Sequence, residues 1–221
     1  MPGIIAGLIL SFLVMLLFGG TELDRSLLLL AGQIDAPRLK EAAAMVASAA
    51  TPLPLLGATA AGIAYLLVRR DWPRALLLGG MVAGGFVLVA VLQGTTAGLR
   101  PSAGERLTPT QDAGFPSGHA AWATSALVGI AFLVSRHRPA RPLALGFAAW
   151  AALTVGVARI LTGGNWPSDV IGGWSFGLAW TLLLLRLAGE DLGDGTASPL
   201  RHSSGQGETD GKPQNRDRPP D

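Results

Sequence analysis

Three short groups of residues carry side chains that could handle an anion. The first runs from Gln93 to Arg100-Pro101. The second is Pro116-Ser117-Gly118-His119. The third joins Arg159 to Asn165 and Asp169. Arginine offers a planar fork of donors that matches phosphate oxygens, and Arg100 and Arg159 are two of them. Ser117 suits the N-cap of a helix, and the N–H groups that follow a cap point outward with the positive dipole end behind them, a ready anion cradle. Gly118 would let a ligand come close to the backbone. His119 could donate a proton to a leaving oxygen. Each residue also has a plainer use. Pro-Ser is a common helix start, arginines near helix ends snorkel to headgroups, and Asn165 or a neighbour could simply cap a helix that has Pro167 in its first turn.

The elements that must position these groups are membrane helices. Of the 221 residues, 49% are hydrophobic and 14% charged, with mean hydropathy +0.42, against about 25% charged in a usual soluble domain. Six apolar stretches approach the length needed to cross a bilayer: Gly3–Phe18, Pro52–Val68, Ala75–Leu92, His119–Val134, Leu143–Leu161 and Val170–Leu187. The expected fold is therefore all-α, a polytopic membrane bundle of about six transmembrane helices in residues 1–188. The first stretch is short enough for a signal peptide, but it lacks a basic n-region and a clear A-x-A site, which favours a retained helix. Residues 19–51 are too polar to span and read as one or two interfacial helices. Residues 189–221, rich in Gly, Ser, Pro, Asp and Arg, read as a disordered cytoplasmic tail.

Basic residues set the expected orientation. Arg69, Arg70 and Arg74 mark one cytoplasmic loop, and Arg136, Arg138 and Arg141 another. Both termini then lie in the cytoplasm, and the loops 93–118 and 162–168 share the outer face. Arg25, Arg38 and Lys40 dissent, since their segment falls outside. His137 belongs to the opposite face, and His202 is a solvated tail residue. The net charge of +2 gives little support for a nucleic-acid partner. The absence of cysteine excludes thiolate chemistry and Cys-based metal sites.

The order and spacing of the three groups resemble the type 2 phosphatidic acid phosphatase superfamily, which includes lipid phosphatases and vanadium haloperoxidases. The family pattern is K-x6-R-P, then P-S-G-H, then S-R-x5-H-x3-D. This chain reads Gln93-x6-Arg100-Pro101, Pro116-Ser117-Gly118-His119, and Ala158-Arg159-x5-Asn165-x3-Asp169. The resemblance covers roughly residues 22–187. It implies that Gln93, Arg100, Ser117, Gly118 and Arg159 hold a phosphate, that His119 protonates the leaving group, and that Asp169 orients the residue at 165. It implies no metal or other cofactor, and the membrane character of the chain argues against vanadium. The implied partner is a phosphorylated lipid in a bacterial-type cytoplasmic membrane.

Two departures matter. The family's nucleophilic histidine is Asn165, whose amide nitrogen has a delocalised lone pair and cannot form a phosphoenzyme as an imidazole does. Gln93 stands where the family has lysine, and removes a positive charge. The expected function is a membrane phosphatase-like protein resembling lipid phosphate and pyrophosphate phosphatases, or else a relative that binds phosphorylated lipid without turnover. A transporter or purely structural protein would explain the helices but not the three spaced groups. Glu105, Arg106, Gln111 and Asp112 are candidates for choosing the headgroup.

Overall fold

The computed structural model describes residues 1–96, 114–135 and 140–190. Arg100, His137, His202, the four headgroup candidates and the expected tail from residue 191 onward lie outside the described residues. Among the described residues eight helices follow in order: α1 (Pro2–Phe18), α2 (Glu22–Gln33), α3 (Pro37–Ala49), α4 (Pro52–Val68), α5 (Trp72–Thr96), α6 (Gly118–Val134), α7 (Ala140–Leu161) and α8 (Pro167–Leu187). All six expected apolar stretches are helical. The polar stretch between the first two forms two short helices, α2 and α3. Prolines at the first turn of α1, α3, α4 and α8 start helices where a missing N–H costs nothing.

Among the described residues three helices, α5, α7 and α8, are long and apolar enough to cross a membrane singly. Two bent pairs add to these: α1 with α2, turned by 90°, and α3 with α4, turned by 54°. The apolar α6 has 17 residues, about 25 Å of helix against a hydrocarbon core of about 30 Å.

The faces of these helices are assigned as a bilayer requires. On α7, Leu143, Phe147, Trp150, Leu153 and Val157 form an outward apolar stripe, each at least 47% exposed. In water such a stripe would be a liability; in lipid it is the ordinary outer surface. The interior holds small and polar residues beside large apolar ones such as Leu66, Leu78, Met81 and Phe132. Thirteen of the 17 residues of α6 are buried, His119, Thr124 and Ser125 among them, so α6 is the central helix.

Between apolar helices in lipid there is little hydrophobic drive, so association rests on close packing of small residues and on interhelical hydrogen bonds. Helix α8 meets α6 in that way. A Cβ at Gly173 would stand 2.6 Å from the Ser117 carbonyl oxygen, and one at Gly177 would stand 2.5 Å from that of Ala121. The Ser125 hydroxyl donates to the Gly177 carbonyl at 3.2 Å. Along its other side α8 packs on α1, where the Ser11 and Ser175 hydroxyls are 3.0 Å apart and Phe12 touches the rings of Phe115 and Phe176. At the end of the bundle away from His119, Arg74 at the start of α5 grips Glu190 after α8 with two bonds, of 2.6 and 3.1 Å. Asp71 lies 3.6 Å from the same guanidinium.

Gly177→Ala is expected to lower the stability of the purified protein by about 1–3 kcal/mol, the usual cost of overpacking. Gly80, with nothing within 4 Å of its Cβ position, is the control, and Gly80→Ala should melt no lower than the parent. Equal melting of both variants and the parent would show that the α6–α8 approach is not tight.

Candidate active site

The site is built from three helix ends at one end of the bundle. At the end of α7 the backbone closes in a Schellman turn. Gly163 N–H donates to the Ile160 carbonyl and Gly164 N–H to that of Arg159, both at 2.9 Å. Gly163 sits at φ 69, a conformation that glycine adopts without strain. The turn folds residue 165 back onto residue 159. Arg159 Nε then donates to Asn165 Oδ1 at 2.8 Å, with both side chains buried. Gly164 has a role here too, because a Cβ on it would stand 2.7 Å from the guanidinium carbon of Arg159. Only the oxygen of an amide accepts from an N–H. The contact with Arg159 therefore turns the Asn165 NH2 group, a pair of donors, away from Arg159 Nε.

The start of α8 is held by two acids. Trp166 is the N-cap, and an indole has no acceptor to offer. Asp169, fully buried, accepts from the Trp166 N–H through Oδ2 at 3.4 Å. Asp24, from the first turn of α2, accepts from the Ser168 N–H through Oδ1 at 3.0 Å and from the Gly20 N–H through Oδ2 at 2.6 Å. Asn165 thus does not cap α8, as its position allowed; carboxyl groups from α2 and from α8 itself do so, and both suit the positive end of the helix. The reading from sequence passed over Asp24. Its signal was an acid in the first turn of a short interfacial helix, which looks like any first-turn acid until α8 is seen beside it.

The start of α6 carries Pro116-Ser117-Gly118-His119. Ser117 is the N-cap, its Oγ accepting from the Ala120 N–H at 3.5 Å. Its own N–H donates to the Asp169 carbonyl at 2.9 Å, which joins the second and third groups directly. The end of α5 braces the preceding loop: Gln93 Nε2 donates to the Pro116 carbonyl at 2.9 Å, and the Thr96 hydroxyl to the Phe115 carbonyl at 2.7 Å. Gln93 therefore reaches the site through the backbone of the second group. His119 is buried, its ring 5.9 Å from that of Trp122. Gly118 has a packing reason beside the expected one, because a Cβ there would lie 2.9 Å from the Trp122 ring.

Of the eight candidate residues, seven (Gln93, Ser117, Gly118, His119, Arg159, Asn165 and Asp169) come to this end of the bundle, and Arg100 lies outside the described residues. Together they present a buried guanidinium, an amide donor, an imidazole and the N–H end of α6. That set suits an anion with several oxygens. Among the described residues no group of three or more His, Cys, Asp or Glu could hold a metal ion.

Helix ends arranged in this way define a membrane phosphatase-type fold, and the comparisons agree. The PAP2 superfamily model matches residues 74–191, more than half of the chain, and the chain belongs to that superfamily. Among solved structures it is similar to the first transmembrane PAP2 type phosphatidylglycerolphosphate phosphatase from Bacillus subtilis, with a TM-score of 0.73 at 24% identity, covering 84% of this chain and 96% of that one. At that identity the likeness is one of fold. No curated protein matches.

Asp24 lies outside the matched residues, yet it should matter to the site's rigidity. Asp24→Ala removes the acceptor of two backbone N–H groups and is expected to cost about 1–3 kcal/mol, the usual penalty for losing a buried partner. Hydrogen exchange should rise at residues 166–170. Unchanged exchange there would mean that Asp24 is not what holds the start of α8.

Proposed function

We propose that this chain holds the phosphate of a phosphorylated lipid on the outer face of a bacterial-type cytoplasmic membrane, in a PAP2-type site that lacks the nucleophile of the phosphohistidine route. The observation that carries the reading is the pairing of Arg159 with Asn165. Where the resemblance calls for an imidazole, an amide oxygen accepts from the guanidinium, and the only side-chain nitrogen at this position is an amide NH2, a donor. Such a position can bind a phosphate oxygen, but it cannot attack phosphorus, because its nitrogen has no available lone pair. The N–H end of α6 and Arg159 supply charge from two sides. The basic residues Arg69, Arg70 and Arg74 at the other end of the bundle support the outward orientation.

A second reading rests on His119 and Asp169, an imidazole and a carboxyl group that are both buried at this end of the bundle. They would serve hydrolysis by another route, with His119 as acid or nucleophile, or with Asp169 activating a water. One pair of assays separates the two. Binding of a short-chain phosphatidate to the purified protein should exceed that of the matching diacylglycerol, and Arg159→Ala should weaken it by about 10- to 100-fold, as expected for a charged hydrogen-bonding partner worth about 1.5–3 kcal/mol. Equal affinity for the two lipids would sink the binding reading. In the second assay, phosphate release from the parent should not exceed that of His119→Ala, whereas Asn165→His should release phosphate markedly faster than the parent. Release by the parent that depends on His119 would establish the hydrolytic reading instead. An Asn165→His variant no faster than the parent would remove the role given to position 165.

A further inference from the structure

A cavity of about 280 Å³ opens between α3, α4, α6 and α7, and its walls are almost wholly apolar. Val46, Ala123, Leu127, Trp150, Ala151 and Val155 are among its lining residues. Its place relative to the phosphate site can be read from two helices independently. On α6, Ala123 and Leu127 follow His119 at steps of four, so they share its face one and two turns further in. On α7, Val155 and Ala151 precede Arg159 at the same steps. Each count puts the cavity about 6–12 Å deeper into the membrane than the residue above it. A polar wall residue, Thr154, turns its hydroxyl to the Trp150 carbonyl at 2.8 Å, which satisfies it within the helix. Trp150 is 62% exposed, so the cavity opens sideways to lipid. Above it, Ala43 and Ala47 of α3 pack on Ala158 of α7.

We propose that this cavity receives the hydrocarbon chain of the phosphorylated lipid whose phosphate is held at Arg159 and the start of α6. The inference rests on the proposed function and names the ligand's other half. A cationic, donor-rich head site stands directly over an apolar cavity on the same faces of the same two helices. That order matches an anionic lipid lying along the bundle, head outward. A soluble phosphate would fill the upper site and leave the cavity without a role.

The test uses the full chain in phosphatidylcholine nanodiscs. Two photoreactive lipids carry a diazirine near the carbonyl end of one acyl chain; one is a phosphatidate and the other a phosphatidylcholine. Adducts are mapped by mass spectrometry. The phosphatidate probe is expected to label Val46, Leu127 or Trp150 several-fold more than the phosphatidylcholine probe does. Ala151→Phe, which fills the cavity from its half-buried wall, should remove that labelling and leave binding of inorganic phosphate unchanged. If Ala151→Phe does not fold, the map on the parent protein decides alone. Phosphatidate adducts that fall elsewhere, while still depending on Arg159, would overturn the cavity assignment and leave the phosphate site standing. Equal labelling by both probes, unaffected by Arg159→Ala, would overturn the phosphate reading, and this inference with it.

Discussion

The bond from the Ser117 N–H to the Asp169 carbonyl is the constraint on which the site depends. It crosses from the start of α6 to the first turn of α8, and it can form only because the two backbones come close. Glycines 173 and 177 permit that approach, for a side chain at either would meet a carbonyl oxygen of α6 at 2.6 Å or less. Separate the helices by one methyl group and the Ser117 amide loses its acceptor. The N–H end of α6 would then move away from Asp169 and from the Arg159–Asn165 pair. In lipid, where apolar surface gives little drive to associate, such contacts between small residues set the register together with the hydrogen bonds that cross between helices.

Much of this was legible in the chain itself. Apolar length located the helices, because each backbone group in lipid must be satisfied within its own helix. Proline and serine at Pro116 and Ser117 located the start of α6. The spaced Arg, Asn and Asp of the third group pointed to one end of the bundle. What sequence did not reveal has a common cause, namely dependence on neighbours remote along the chain. Asp24 is unremarkable on α2 until Ser168 arrives beside it. Gly118 looks like room for a ligand, yet the ring that presses on it belongs to Trp122, one turn further along the same helix. Gln93 stands at the lysine position of the resemblance, and its amide group reaches the Pro116 carbonyl, a partner that spacing alone does not name.

Asn165 is best understood as a partner of the arginine. A hydrogen bond from a guanidinium to a neutral amide oxygen fixes the orientation of the cation without cancelling its charge, whereas a carboxylate in the same place would do both. The Schellman turn at Gly163 and the bare Cα of Gly164 are what make the pairing possible. Arg159 and Asn165 are therefore one unit, set by the end of α7 and the turn that follows it, and any change of residue at 165 is also a change in how the arginine is held.

The contact between Asp24 and Ser168 joins residues 144 positions apart. During synthesis α2 leaves the ribosome long before α8 exists. Until α8 enters the membrane, one oxygen of Asp24 has no backbone amide of α8 to receive, and Ser117 has no Asp169 carbonyl. The groups that α8 joins are thus made before α8 itself, and α8 supplies their missing partners. A nascent chain halted before residue 167 would already hold the Arg159–Asn165 turn and the capped start of α6, but not the Asp169 carbonyl that ties the start of α6 to α8, so the anion-binding groups are made before they are brought into register.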